Sequence, residues 1–164
     1  MTDVVDQATR SRMMSGIRGK DTRPELIIRK RLHALGFRYR LHDPKLPGKP
    51  DILFPKYRAV IFVNGCFWHG HDCHLFKWPS TREDFWRAKI SRTQEKDIES
   101  TVWLRENHWR VLRIWECALK GRTKLPIEKV IEETISWLTS EQPEKDILGV
   151  LQRGLESITC PSMK

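Results

Sequence analysis

The chain has 164 residues, 39% of them hydrophobic, which is room for one domain with its own core and no obligatory metal or disulfide staples. Thirty Lys and Arg against 21 Asp and Glu give a formal charge of +9 and a sequence pI near 9.7. Long apolar runs are absent, and the first twenty residues carry Asp3, Asp6, Arg10, Arg12 and Arg18 without an apolar block. The expectation is a cytoplasmic protein with neither a membrane span nor a secretory leader.

The charge is uneven. Residues 1–40 hold ten Lys/Arg against four Asp/Glu, a balance of +6, whereas residues 121–164 balance at −1. A basic front half points to a polyanion, with nucleic acid first. Seven Trp is an unusual load for this length. Indole rings serve cores, interfaces and base-stacking platforms.

In chain order, residues 1–20 read as a polar arm or short helix with little to bury. Thr22-Arg23-Pro24-Glu25 combines a hydroxyl cap, an early Pro and a Glu three residues after the cap, so a helix is predicted over residues 22–35. It would bury Ile28, Leu32 and Leu35 and stop at Gly36. Residues 37–41 and 51–54 are strand-like, with a Pro- and Gly-rich loop between them. The unbroken apolar run at residues 59–63 predicts a central strand covered on both faces.

Ser80 and Glu83 suggest a second capping box. The helix behind it would reach about Asn107, burying Phe85, Ile90, Ile98 and Val102. Residues 109–115 alternate as a strand does. Pro126 opens a last helix with Ile127, Val130, Ile131, Ile135 and Leu138 on one face. Residues 141–164 read as a loose C-terminal extension with one short helix near residues 147–155. The fold class predicted is α/β, a small mixed sheet flanked by helices.

The densest chemistry is Cys66-Phe67-Trp68-His69-Gly70-His71-Asp72-Cys73-His74. Cysteines beside histidines at short spacing, in a reducing compartment, suit zinc better than a disulfide. The fourth ligand could come from Cys117, just after the strand of residues 109–115, or from Cys160 in the weakly patterned tail. Cys66, His71, Cys73 and Cys117 make the favoured tetrahedral set, and sets with His69 or His74 in place of His71 rival it. Such a loop has little interior. Phe67 and Trp68 therefore either project outward, able to stack on bases, or fold back onto the sheet. Asp51, opening a strand beside a basic loop, could hold Mg²⁺ against a phosphate, although Asp after Pro is also ordinary turn chemistry. His69 could exchange a proton, with Asp97 orienting it.

The stretch from Val60 through Asn64-Gly65-Cys66-Phe67-Trp68-His69-Gly70-His71-Asp72-Cys73 to Phe76-Lys77-Trp78-Pro79 resembles the very-short-patch repair (Vsr) endonuclease family. So do Ala8-Thr9-Arg10-Ser11 with Met14, Leu46-Pro47-Gly48-Lys49-Pro50-Asp51, Thr81-Arg82 with Phe85-Trp86, and Trp109-Arg110-Val111 with Trp115-Glu116-Cys117-Ala118-Leu119. The resemblance spans roughly residues 3–140. It implies a restriction-endonuclease-like fold with a structural zinc at Cys66, His71, Cys73 and Cys117. It implies a Mg²⁺-dependent nick 5′ to the thymine of a T·G mismatch left by 5-methylcytosine deamination.

Carried over by position, Asp51 and the Val63 carbonyl face the catalytic Mg²⁺. His69 would match the catalytic histidine, with Asp97 in support, and Glu25 would match an acidic residue near the site. Phe67, Trp68 and Trp86 would match the aromatics that intercalate beside the mismatch, and Met14, on an arm of residues 1–20, would match a residue that reaches the other groove. Residues 21–140 would then be the endonuclease domain. The partners implied are double-stranded T·G-mismatched DNA and a MutL-type mismatch-repair protein, with the enzyme a monomer. One position departs: the family often has His where this chain has Asn64, and Asn cannot exchange a proton near neutral pH. The alternative to an active enzyme is a catalytically weak, zinc-stabilised module that binds mismatched DNA.

Overall fold

The computed structural model describes residues 6–17 and 19–150. Its centre is a five-stranded mixed sheet in the order β1-β2-β3-β4-β5. Ala59–Asn64 (β3) runs parallel to Arg110–Trp115 (β4), which runs parallel to Glu144–Ile147 (β5). Ile52–Phe54 (β2) lies antiparallel to β3, and Arg40–Leu41 (β1) lies antiparallel to β2.

Parallel neighbours need crossovers. Glu83–Glu106 (α3) connects β3 to β4, and Glu116–Leu119 (α4) with Ile127–Leu138 (α5) connects β4 to β5. Gln7–Ser15 (α1) and Arg23–Ala34 (α2) precede the sheet. No described helix is long and apolar enough to cross a membrane.

Alternation along β3 and β4 feeds two cores. Ala59, Ile61, Leu112 and Ile114 pack with Ile28 and Leu32 of α2 and with Val130, Ile131 and Trp137 of α5. Val60 and Val111 point the other way and meet Leu53 and, from α3, Leu104. Burial on both faces is what the apolar run at residues 59–63 predicts.

Helix α2 begins as its sequence dictates. The Thr22 hydroxyl accepts from the Glu25 N–H and donates to the Glu25 carboxylate, whose other oxygen accepts the Asp21 N–H at 3.0 Å. Leu35 is the C-cap residue and is 58% exposed instead of buried, because the helical stripe ends at Leu32. Of residues 37–41 only Arg40–Leu41 pairs as a strand, while Phe37 and Tyr39 pack their rings around Phe54.

Helix α3 departs most from expectation. Its N-cap is Arg82 in the left-handed region with no side-chain cap bond, so the Ser80–Glu83 box does not form. Phe85, Ile98 and Val102 are exposed. The face turned to the protein runs through Ile90, Gln94, Asp97, Thr101 and Leu104, at helical spacing but half polar. Apolar periodicity cannot find such a face.

The weak pattern after Ser140 hid strand β5, where charged residues alternate with few apolar ones. Arg113 on β4 pairs across the sheet with Asp146 at 2.8 Å and with Glu144. Ile147, expected in a helix, lies in this strand. Residues 151–155 of that predicted helix, and Cys160, lie outside the described residues.

Arg110 ties the end of α5 to the sheet. Its guanidinium donates to the carbonyls of Trp137, Leu138 and Ser140 at 2.8–2.9 Å and to that of Tyr57 at 3.2 Å, and stands 4.8 Å over the Trp137 ring. These carbonyls include helix-end acceptors that lack partners within the helix. Arg110→Ala is expected to destabilise the fold by about 2–4 kcal/mol, since charge-assisted hydrogen bonds contribute roughly 1.5–3 kcal/mol each and do not add fully. Urea denaturation checks this, and an unchanged midpoint would contradict it.

Candidate active site and metal-ligand cluster

Asp51 stands one residue before β2, where the backbone ladder with β3 stops. Its carboxylate continues that ladder: Oδ2 accepts the Val63 N–H at 2.7 Å. Burial, helped by the nearby charge of Glu25 and opposed by the pull of the Val63 N–H, pushes the Asp51 carboxyl up to about 6. A largely buried carboxylate beside a second, 3%-exposed acid is a strained place for two negative charges.

A cleft of about 980 Å³ opens here, and Glu25, Asp51, Val63, Asn64, Trp68, His69 and Asp97 all line it. Thus every catalytic candidate named from the sequence reaches one cavity. Gly16 and Ile17, just beyond α1, line it too, as do Lys49 and Lys89. His69 Nδ1 lies 2.5 Å from Asp97 Oδ2. If Nδ1 carries the proton, Nε2 keeps a lone pair. Asn64 is 6% exposed at the end of β3.

His42 carries no motif and was not anticipated. Its Nε2 lies 3.5 Å from Asp21 and 3.6 Å from Glu25, and its Nδ1 lies 3.8 Å from Asp51. One imidazole therefore stands among three carboxylates. Only the positive φ of Asp21 and His42 sets these residues apart locally, and sequence does not announce it. The acidic set Asp51 and Glu25 offers hard oxygen donors of the kind Mg²⁺ prefers.

The second cluster is built from two segments. Cys66, His71 and Cys73 come from the loop after β3 and Cys117 from α4, and their ligand atoms lie within 4.8 Å of one another. This chooses His71 among the three histidines. His69 is turned to Asp97, and His74 Nδ1 lies 3.4 Å from Thr123. Three sulfurs and one imidazole this close together could hold a soft or borderline metal ion.

Burial pushes the Cys66 and Cys117 thiols up, and burial holds His71 down toward its neutral, ligating form. A bound cation offsets the first effect, since the thiolate is the ligand. The loop is also held without metal. Gln94 donates to the carbonyls of His69 and Gly70 at 3.3 Å, and the Cys66 N–H donates to Glu116 at 3.2 Å. Gly70 has φ +59°, and a Cβ there would meet Ile90 and Gln94 at 2.6 Å, so this close approach to α3 requires glycine.

Phe67, Trp68 and Trp86 belong to neither core. Phe67 lies 5.2 Å from Trp68 and 5.3 Å from Trp86, ring to ring, and the Lys89 ammonium stands 5.5 Å over both indoles. They are half-buried against each other, with Trp68 lining the cleft, between the two alternatives left open by sequence. Met14 is 45% exposed on α1, a helix whose described residues bury nothing.

Comparison with known proteins identifies the family. The model of the DNA mismatch endonuclease Vsr family matches residues 2–75. DNA mismatch endonuclease Vsr of Escherichia coli (strain K12) is 46% identical over 141 residues, covering 86% of this chain and 90% of the relative. The chain belongs to the Vsr family of DNA mismatch endonucleases.

Two further relatives of this Vsr-family chain are nicking enzymes. Type II nicking enzyme V.XorIIP of Xanthomonas oryzae pv. oryzae is 44% identical over 73% of this chain and 88% of its own length. Type II nicking enzyme V.NmeAIP of Neisseria meningitidis serogroup A is 43% identical over 74% of this chain and 87% of its own. The Vsr-family chain is accordingly a DNA nicking endonuclease.

Asp51 makes the metal-free protein pH-sensitive. Its folded-state pKa of about 6 exceeds the ordinary 3.8, so the contribution of this one group to stability is fully present below about pH 3.8 and is lost as pH rises through about 6. Asp51→Asn is expected to stabilise the metal-free protein at pH 7 by about 1–3 kcal/mol, and by less at pH 4. Denaturant unfolding at the two pH values checks this; equal midpoints for variant and wild type at pH 7 would contradict it.

Proposed function

We propose that this chain nicks DNA 5′ to the thymine of a T·G mismatch in a Mg²⁺-dependent reaction, on a restriction-endonuclease-like fold with a structural zinc. The observation that carries the reading is the Asp51 carboxylate bonded to the Val63 N–H in the same cleft as the His69–Asp97 pair, with an aromatic cluster at its rim. Asp51 and the Val63 carbonyl would hold Mg²⁺. When bound, such an ion polarises phosphoryl oxygens and makes a bound water more acidic.

The chain's own residues do the rest. Asp97 holds His69 by Nδ1, leaving Nε2 to take or give a proton beside the scissile phosphate. Glu25 adds negative charge near Asp51 and strengthens its demand for a cation. Cys66, His71, Cys73 and Cys117 would bind zinc and pin the loop, so that Phe67 and Trp68 are presented, together with Trp86, as a wedge. Unstacking a base step costs a few kcal/mol, and least at a poorly stacked wobble, so the wedge itself favours T·G. Met14 on α1 would contact the opposite groove. Lys49, Lys89 and the basic residues of the first forty would hold phosphates, with affinity that falls with salt. We read the enzyme as a monomer, with a MutL-type protein as its repair partner.

Asn64 keeps the weaker reading alive. Its amide cannot exchange a proton, so a mismatch-binding module that cuts slowly would also suit this cleft. Nicking of a labelled T·G duplex with Mg²⁺ separates the two. Wild type is expected to nick the T strand, and Asp51→Ala to lose nicking while retaining mismatch binding; nicking retained by Asp51→Ala would remove the metal role. Trp68→Ala is expected to reduce the preference for T·G over C·G duplex roughly tenfold, about the energy of one stacking contact. A binding titration with undiminished preference would count against the wedge.

A further inference from the structure

Trp115 touches both halves of the site and has no role in the reading above. Its indole stacks on the His71 imidazole, with centroids 4.2 Å apart and planes at 16°. Its other contact is edge to face with His69, at 6.2 Å and 83°. The indole itself is fixed: Nε1–H donates to Asp146 Oδ1 at 2.8 Å. That carboxylate is bound in turn by Arg113, through Nε at 2.8 Å and Nη2 at 2.9 Å. Burial alone would raise the Asp146 carboxyl, yet Arg113 and Trp115 together hold it below its ordinary value.

We propose that Trp115, clamped by Asp146 of β5, is a positioning residue that sets the ring of His71 in the metal cluster and the ring of His69 in the cleft. Three facts converge on it. The stack fixes the plane of His71, whose Nδ1 lies 3.7 Å from Cys117 Sγ. Trp115 pairs with Asn64 at the end of the parallel ladder, so both strands must be in register for the ring to reach the loop. Strand β5 also reaches the cluster directly, since the Gly149 N–H just beyond it donates to Cys117 Sγ at 3.4 Å. Ligating histidines depend on such outer partners, and their loss typically costs 10–100-fold in metal affinity or activity. The strand of residues 144–147 is therefore part of the site.

The inference rests on the proposed zinc and nuclease roles, and the test keeps the two apart. Trp115→Leu, Trp115→Phe and Asp146→Ala are compared with wild type. Each is followed for zinc release to an excess of chelator, and for single-turnover nicking of a T·G duplex across a range of concentrations. Trp115→Leu is expected to release zinc about tenfold faster. Its maximal nicking rate should fall by a similar factor, with the half-saturating DNA concentration unchanged. Trp115→Phe, which keeps a ring to stack, should recover most of both, and Asp146→Ala should fall between.

Wild-type zinc release and maximal rate in Trp115→Leu would overturn the proposal, as would a Trp115→Phe no better than Trp115→Leu. If Trp115→Leu does not fold, Asp146→Ala decides: faster zinc release supports the proposal and unchanged release overturns it. A wild type that fails to nick T·G DNA defeats the nuclease reading, while the zinc-release arm still judges Trp115.

Discussion

The hydrogen bond from the Val63 N–H to the Asp51 carboxylate is the contact on which the rest of the site depends. It exists because β2 is short. The strand pairs only residues 52–54 with β3, and β3 runs on to Asn64 against β4. The unpaired side of Val63 needs an acceptor, and a carboxylate fills the gap instead of a carbonyl. One side chain thus completes a sheet and places a negative charge at the mouth of a cleft. Burial raises the Asp51 carboxyl, the kind of perturbation that marks a candidate functional group.

The other parts are aligned to that point by stiff elements. Helix α3 supplies Gln94 and Asp97 on adjacent turns of one face, the first to the loop backbone and the second to His69. The metal-ligand cluster joins that loop to α4, directly after β4. The same loop carries Phe67 and Trp68 to the cleft edge. In the proposed reading the wedge and the chemistry are held in a fixed relation, because both hang from the end of β3.

Much of this was legible in the sequence. The apolar run of β3, the capping residues of α2 and the Cys–His spacing each carry a local physical signal, and the family motifs brought Asp51, His69 and Asp97 together before any geometry. What was hidden has a common cause. The inner face of α3 is half polar because it serves the site, so periodicity pointed instead to Phe85, Ile98 and Val102, which are exposed. Strand β5 is stabilised by Arg113 bridging Glu144 and Asp146, a cross-strand contact with no one-dimensional pattern. His42 belongs to the site through a backbone turn of positive φ and through tertiary contacts alone. Sequence reports local preference and motif; it does not report which polar residues a distant strand will meet.

The central claim is that the carboxylate of Asp51, held in the ladder gap, is where the proposed divalent cation binds. The most direct measurement is the unfolding temperature of wild type and Asp51→Asn as Mg²⁺ is raised. A ligand that binds only the folded state raises that temperature with concentration. The account predicts a rise in wild type and a flat response in Asp51→Asn. Equal rises in both proteins would contradict it.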